Sequence, residues 1–268
     1  MVEDRKEQDA KEAVTPLRPA PESAVEARPR GIYLLPNLIT TGALFSGFFA
    51  IVAAINGKFE AAAMAIFAAG ILDTMDGRVA RLTRTESEFG AQYDSLSDMV
   101  AFGVAPALVI FTFSLQSLGQ AGWVATFIYM ACAALRLARF NMHHDNSVFT
   151  GLASPSAAGI VAGSVWVVAE AAPLAPGPTG AGAVALALLT AATGLAMVAP
   201  ITYWSPKGIA LKDRVPFITL VMIVMGFSFV LVDPPRVLLG IAVCYALSGP
   251  IQWLFFRSRS TETQAHRD

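Results

Sequence analysis

The sequence predicts an all-α integral membrane protein of about eight transmembrane helices, with both termini in the cytoplasm. Three observations carry that reading. Hydrophobic residues make up 55% of the 268 positions and charged residues only 15%, against roughly 25% charged in an ordinary soluble chain. Mean hydropathy is +0.56. Apolar runs near the ~20 residues needed to cross hydrocarbon recur along the chain. The net charge of −1 gives no overall attraction to nucleic acid. The two cysteines, Cys132 and Cys244, lie inside apolar runs without a CxxC pair, which excludes a disulfide framework.

Residues 1–30 are charged, Pro/Ala-rich and without the apolar core of a secretory signal. They read as a disordered cytoplasmic tail, because they bury too little to offset the entropy of ordering. Residues 31–257 form the membrane domain, and 258–268 a short cytoplasmic tail. Within the domain, spans are predicted at 35–56, 59–82, 89–115, 121–141, 154–172, 180–203, 215–232 and 235–256. Breaks at Asn56-Gly57, Leu118-Gly119, Asp145-Asn146, Pro173 to Pro178, Pro206-Lys207-Gly208 and Asp233-Pro234-Pro235 separate most of them. The segment LTRTESEF between spans two and three is short and polar, as a tight helix–helix connection would be. With eight spans, all of the 19 basic residues except Lys58 and Arg236 fall on one side. The positive-inside rule makes that side cytoplasmic.

Spans two and three carry acids where hydrocarbon penalises them. Asp73, Asp76, Asp94 and Asp98 lie near the cytoplasmic ends of these spans, and each costs several kcal/mol there unless paired, metal-bound or wet. Asp73, Asp76, Gly77, Ala80 and Arg81 share one helical stripe. Gly90, Asp94 and Asp98 share a stripe of the next helix. A short connection makes the two helices antiparallel neighbours, so four carboxylates converge. Such a cluster is tolerable around cations, and an all-oxygen donor set selects Mg²⁺, Mn²⁺ or Ca²⁺ over zinc. Small residues at this spacing also serve helix packing, but packing does not account for four aspartates. A metal-loaded pocket with small walls suits a phosphate-bearing ligand.

Written as a pattern, these residues are D-x2-D-G-x2-A-R-x8-G-x3-D-x3-D, running from Asp73 to Asp98. The pattern resembles the signature of the CDP-alcohol phosphatidyltransferases, with every position present. The resemblance implies a membrane enzyme that takes a CDP-linked lipid, here CDP-diacylglycerol, releases CMP and joins the phosphatidyl group to an alcohol. It implies that Asp73, Asp76, Asp94 and Asp98 bind divalent metal, Mg²⁺ or Mn²⁺ and two ions. Asp73, Asp76, Gly77, Ala80, Arg81 and Gly90 would hold the CDP-lipid, and Asp98 would act as catalytic base. It further implies a homodimer in a bacterial inner membrane, with the site on the cytoplasmic side and no nucleic-acid partner.

Outside the signature, ALRLARFN (134–141), FTGLASPSAAG (149–159) and LLPNLITTGALFSGFFAI (34–51) are similar to the bacterial phosphatidylserine synthase branch, where Ala153 and Ser156 depart from the usual FxGLPSPAAAG. This implies L-serine as acceptor. Arg136 and Arg139, at i and i+3, would then bind its carboxylate through a guanidinium fork; the plainer reading is two snorkelling anchors. Asn141 either pairs with the ammonium or caps the helix. Ser154 and Pro155 set the turn into span five. Asn37 is a pocket candidate. His143 and His144 read as solvated, and Lys207, Lys212 and Arg214 as a topology-setting loop. The same chemistry on glycerol 3-phosphate is the nearest alternative. A cation transporter or a non-catalytic scaffold stand further off, because no repeat is present and Asp98 is intact.

Overall fold

The computed structural model describes residues 34–142, 150–171, 177–201, 203 and 217–265, and of the helix beyond Gln252 only the backbone. The expected tail at 1–30, His143 and His144, and the loop with Lys207, Lys212 and Arg214 lie outside these residues. Among them there is no β-strand.

The first predicted span is helix α1 (Leu34–Ile55). Its small residues Ala43, Gly47, Ala50 and Ala54 are buried, while Leu38, Phe45, Phe48 and Phe49 are exposed. Small-inside and large-outside is the pattern of a helix surrounded by lipid. Helix α2 (Phe59–Thr83) packs along α1, and its Ala62, Ala63, Ile66 and Ala69 are buried. It ends at Arg84, whose φ of 51° is left-handed and whose N–H returns to the last turn.

The third span is built in three pieces. Helix α3 (Glu88–Asp98) starts at Ser87, whose Oγ accepts from the Gly90 N–H at 3.0 Å. A π-helical stretch, Met99–Val104, follows, and then α4 (Ala105–Phe113). The periodicity predicted one uninterrupted helix here; the widened stretch is a finding of the structure. The buried Tyr129 hydroxyl donates to the Phe102 carbonyl at 2.8 Å, which satisfies a backbone acceptor in that stretch. Gly47 lets α1 approach it closely, since a Cβ there would stand 2.8 Å from Ala101 Cα.

A 3₁₀ turn (Leu115–Leu118) leads into α5 (Gln120–Met142). Helices α6 (Ser154–Ala171), α7 (Ala181–Val198), α8 (Phe217–Val232) and α9 (Pro234–Ala265) complete the chain. α6 is the most enclosed, with Ala157 through Val165 all buried, and it packs against α2, α4 and α9. α5 packs on α7. At the end remote from the acids, Arg236 bonds Asp233 at 2.6 Å and reaches Glu170 of α6 at 3.7 Å. The Arg236 guanidinium holds the Asp233 carboxyl below its ordinary range.

Each of the eight predicted spans contains a helix among the described residues, although the helix in 180–203 stops at Val198. Five runs are long and apolar enough to cross a membrane: Leu34–Ile55, Glu88–Phe113, Gln120–Met142, Ala181–Val198 and Pro234–Gln252. The other three fall short for visible reasons. α2 carries Asp73, Asp76, Arg78 and Arg81 in its last turns, α6 is diluted by serines, glycines and Glu170, and α8 has 16 residues. The last helix runs on to Ala265, past the expected apolar end at 256.

Candidate functional site

The short turn after α2 folds α3 back beside it, and this brings the two acidic stripes together. Oxygens of Asp73, Asp76 and Asp94 all lie within 4.8 Å of one another. Asp98, one turn beyond Asp94, lies close enough to Asp73 and Asp94 for their charges to interact. Among the described residues, no histidine or cysteine joins the group.

Asp76 is the best anchored of the four. It is 4% exposed, and Thr40 of α1, equally buried, donates to its Oδ2 at 2.6 Å. The Thr40 hydroxyl also lies 3.1 Å from the Pro36 carbonyl; one proton serves one acceptor, and the shorter, charged contact is the stronger. The Thr40 carbonyl in turn accepts from Ser97 Oγ at 3.1 Å. A hydroxyl pair thus ties α1 to both acidic helices. Thr41 and Tyr93 add a second hydroxyl contact between α1 and α3 at 2.9 Å.

A cavity of about 410 Å³ opens beside the acids. Asp76, Gly77, Ala80, Arg81, Gly90 and Asp94 line it, joined by Asn37 and Thr40 from α1. Asp73 and Asp98 sit one turn further from the α2–α3 connection and do not line it. The backbone at Gly77 is bare toward this space: an added Cβ would meet only Arg81 Nη2, at 4.0 Å. Gly77 therefore does not serve close helix packing, and it leaves room for a bulky ligand. The Arg81 Nε donates back to the Gly77 carbonyl at 2.9 Å. On the opposite face of α2 an apolar cavity of about 620 Å³ lies among α2, α6 and α9, lined by Phe67, Ile71, Met75, Phe102 and Leu238, with Arg78 among its walls.

The two arginines expected at the acceptor end part company. Arg136 is half-buried in the described fold; its Nη1 donates to Ser154 Oγ at 2.7 Å, and it lies within electrostatic reach of Asp98 and of Tyr245 on α9. Arg139 is exposed near the end of α5. Asn141 accepts from Ser95 Oγ at 3.1 Å, which ties α5 to α3. Thr40, Ser97 and Tyr245 were not legible as site residues. Their partners are tens of residues away, and no local spacing announces them.

The donor set fits a hard divalent cation: three carboxylates converge, all with oxygen ligands, one held by a hydroxyl from α1. Beside a cavity with small walls, this arrangement can receive a phosphorylated ligand on the metal side and an alcohol near Asp98.

Residues 33–247 match the family described as CDP-alcohol phosphatidyltransferase. The chain is 35% identical over 227 residues to a protein of Helicobacter pylori named CDP-diacylglycerol–serine O-phosphatidyltransferase, covering 84% of this chain and 92% of that one. It is 40% identical over 144 residues to a protein of the same name from Mycobacterium tuberculosis, covering 49% of this chain and 50% of that one. A third protein of that name, from Methanocaldococcus jannaschii, is 42% identical over 98 residues, or 37% of this chain and 47% of that one.

Proposed function

The chain belongs to the CDP-alcohol phosphatidyltransferase family, and on that footing we propose that it transfers the phosphatidyl group of CDP-diacylglycerol to L-serine, giving phosphatidylserine and CMP. The observation that carries the reading is the convergence of Asp73, Asp76 and Asp94 beside a cavity walled by Gly77, Ala80 and Gly90. The serine acceptor draws its support from the names of the relatives and from Arg136 beside Asp98.

Asp73, Asp76 and Asp94, with Asp98, would hold divalent metal, Mg²⁺ or Mn²⁺. When bound, the metal supplies charge neutralisation for the diphosphate and the departing CMP. The chain's own groups do the rest. Gly77, Ala80 and Gly90 leave space for the nucleotide and Arg81 stands at the rim of the cavity. Asp98 takes the proton of the acceptor hydroxyl as its oxygen attacks the lipid-side phosphorus. One P–O bond forms, the P–O bond to CMP breaks, and the electron pair leaves with CMP. Arg136 holds the acceptor's carboxylate, with Arg139 nearer the water. The apolar cavity among α2, α6 and α9 offers room for an acyl chain.

The reading includes eight crossings with both termini in the cytoplasm of a bacterial cell, supported by the helical runs and the basic-residue asymmetry. It includes a homodimer on the family resemblance alone. The test is CMP release by purified protein from CDP-diacylglycerol with Mg²⁺ or Mn²⁺, given L-serine, glycerol 3-phosphate or no acceptor. Serine-dependent release that EDTA abolishes is the expected result. Release with glycerol 3-phosphate alone would keep the reaction class and overturn the acceptor.

A further inference from the structure

The acceptor end of the site holds a guanidinium whose hydrogen bonding is incomplete. The Nε of Arg136 is sealed from solvent and has no hydrogen-bond partner among the described residues. Its Nη1 is occupied by Ser154 Oγ at 2.7 Å. On an arginine, Nε and Nη2 form one edge of the fork, and that edge takes a carboxylate through two parallel bonds. Nη1 is the nitrogen outside that edge. A hydroxyl there fixes the rotation of the guanidinium plane and leaves the carboxylate-binding edge uncommitted.

Ser154 is itself held firmly. It is 1% exposed and opens α6, the most enclosed helix. The strand of chain before it is clamped to the end of α7: the Gly151 N–H donates to the Ile201 carbonyl at 2.8 Å and the Leu152 N–H to the Ala196 carbonyl at 2.9 Å. Gly151 has a φ of +86°, and a Cβ there would collide with the Met197 carbonyl oxygen, so the turn admits glycine alone. The anchor for Arg136 therefore comes from a different helix, through a rigid turn, and its position does not depend on α5.

We propose that Ser154 is a positioning residue for acceptor recognition: by holding Nη1 of Arg136 it presents the unpaired Nε edge to the carboxylate of an amino-acid alcohol beside Asp98. This rests on the reading of serine as acceptor and adds the residue that orients its carboxylate partner.

Steady-state CMP release by Ser154→Ala and Ser154→Thr, with each substrate varied in turn, tests it. The expected result is a KM for L-serine raised about tenfold or more in Ser154→Ala, the loss associated with a hydrogen bond to a charged group. The KM for CDP-diacylglycerol stays within about twofold, and Ser154→Thr, which keeps the hydroxyl, returns the serine KM most of the way. A merely structural role would lower kcat or raise both KM values together, and threonine would not rescue it selectively. An unchanged serine KM in Ser154→Ala overturns the proposal. Should the alanine protein fail to fold, Arg136→Lys asks the same question without altering α6: it keeps the charge and loses the fork, and an unchanged serine KM there overturns the proposal equally. Wild-type protein without serine-dependent CMP release would refute the acceptor reading and this inference with it. Wild type active on serine beside an unaffected Ser154→Ala would refute this inference alone.

Discussion

Thr40→Val removes one hydroxyl and leaves the shape of the side chain almost unchanged. In the structure that hydroxyl donates at 2.6 Å to the Oδ2 of Asp76, and both residues are 4% exposed. A hydrogen bond to a charged group is worth about 1.5–3 kcal/mol net, which converts to about 10- to 150-fold in a binding constant. The variant also frees Asp76 to leave the position in which it faces Asp73 and Asp94. Divalent metal affinity is therefore expected to fall by at least about tenfold. Titration of the purified protein with Mn²⁺, reading free Mn²⁺ by electron paramagnetic resonance and with no substrate present, measures this directly. Thr40→Ser keeps the hydroxyl and is expected to bind as wild type does. If Thr40→Val binds Mn²⁺ as tightly as wild type, Asp76 either needs no partner or is not a ligand, and the reasoning fails.

Three further outcomes follow from the same geometry. Asp98→Asn is expected to lower CMP release by about 100-fold or more, the range of general-base catalysis, with binding of CDP-diacylglycerol to folded protein preserved; retained turnover would remove Asp98 from its role as base. Gly77→Leu projects into open space and is expected to fold normally but to bind CDP-diacylglycerol weakly, as read by nucleotide-lipid competition. Gly47→Leu drives its Cβ to 2.8 Å from Ala101 Cα and is expected to cost roughly 2 kcal/mol or more of stability, visible as a lowered unfolding temperature in detergent. If the two glycine variants exchanged phenotypes, the division between a cavity wall and a packing contact would be wrong.

The helices were legible because hydrocarbon demands long apolar runs and the turn residues between them are strong signals. The acids were legible for the complementary reason, since four carboxylates at helical spacing in so apolar a chain are too costly to be incidental. Thr40 was not legible as the partner of Asp76, because that bond joins residues 36 positions apart and depends on how closely α1 and α2 approach. Tyr245 reaches Arg136 from the last helix for the same kind of reason. Arg136 and Arg139 share a face by spacing, yet the fold half-buries one and exposes the other, which only the arrival of α6 decides. Asn141, undecided between a ligand and a cap, turns out to accept from Ser95. The break in helical pitch after Asp98 has no counterpart in hydropathy, because the six residues that make it, Met99–Val104, are apolar or small and read like the helix that follows.

That break sets the phase of the third span. Each residue of an α-helix advances the facing direction by about 100°, and the six residues Met99–Val104 take the wider i→i+5 pitch instead. The face carrying Gly90, Asp94 and Asp98 is thereby uncoupled in angle from the buried face of Ala105, Val109, Ile110 and Phe113. Chemistry and membrane anchorage are indexed separately along one continuous rod. Deleting a single residue within 99–104 would leave the length and hydropathy of the span nearly intact while altering the widened pitch that sets the angle of Asp98 relative to the anchored half. The distance from Asp98 to its neighbours is in this sense governed by a stretch that contains no charged residue at all.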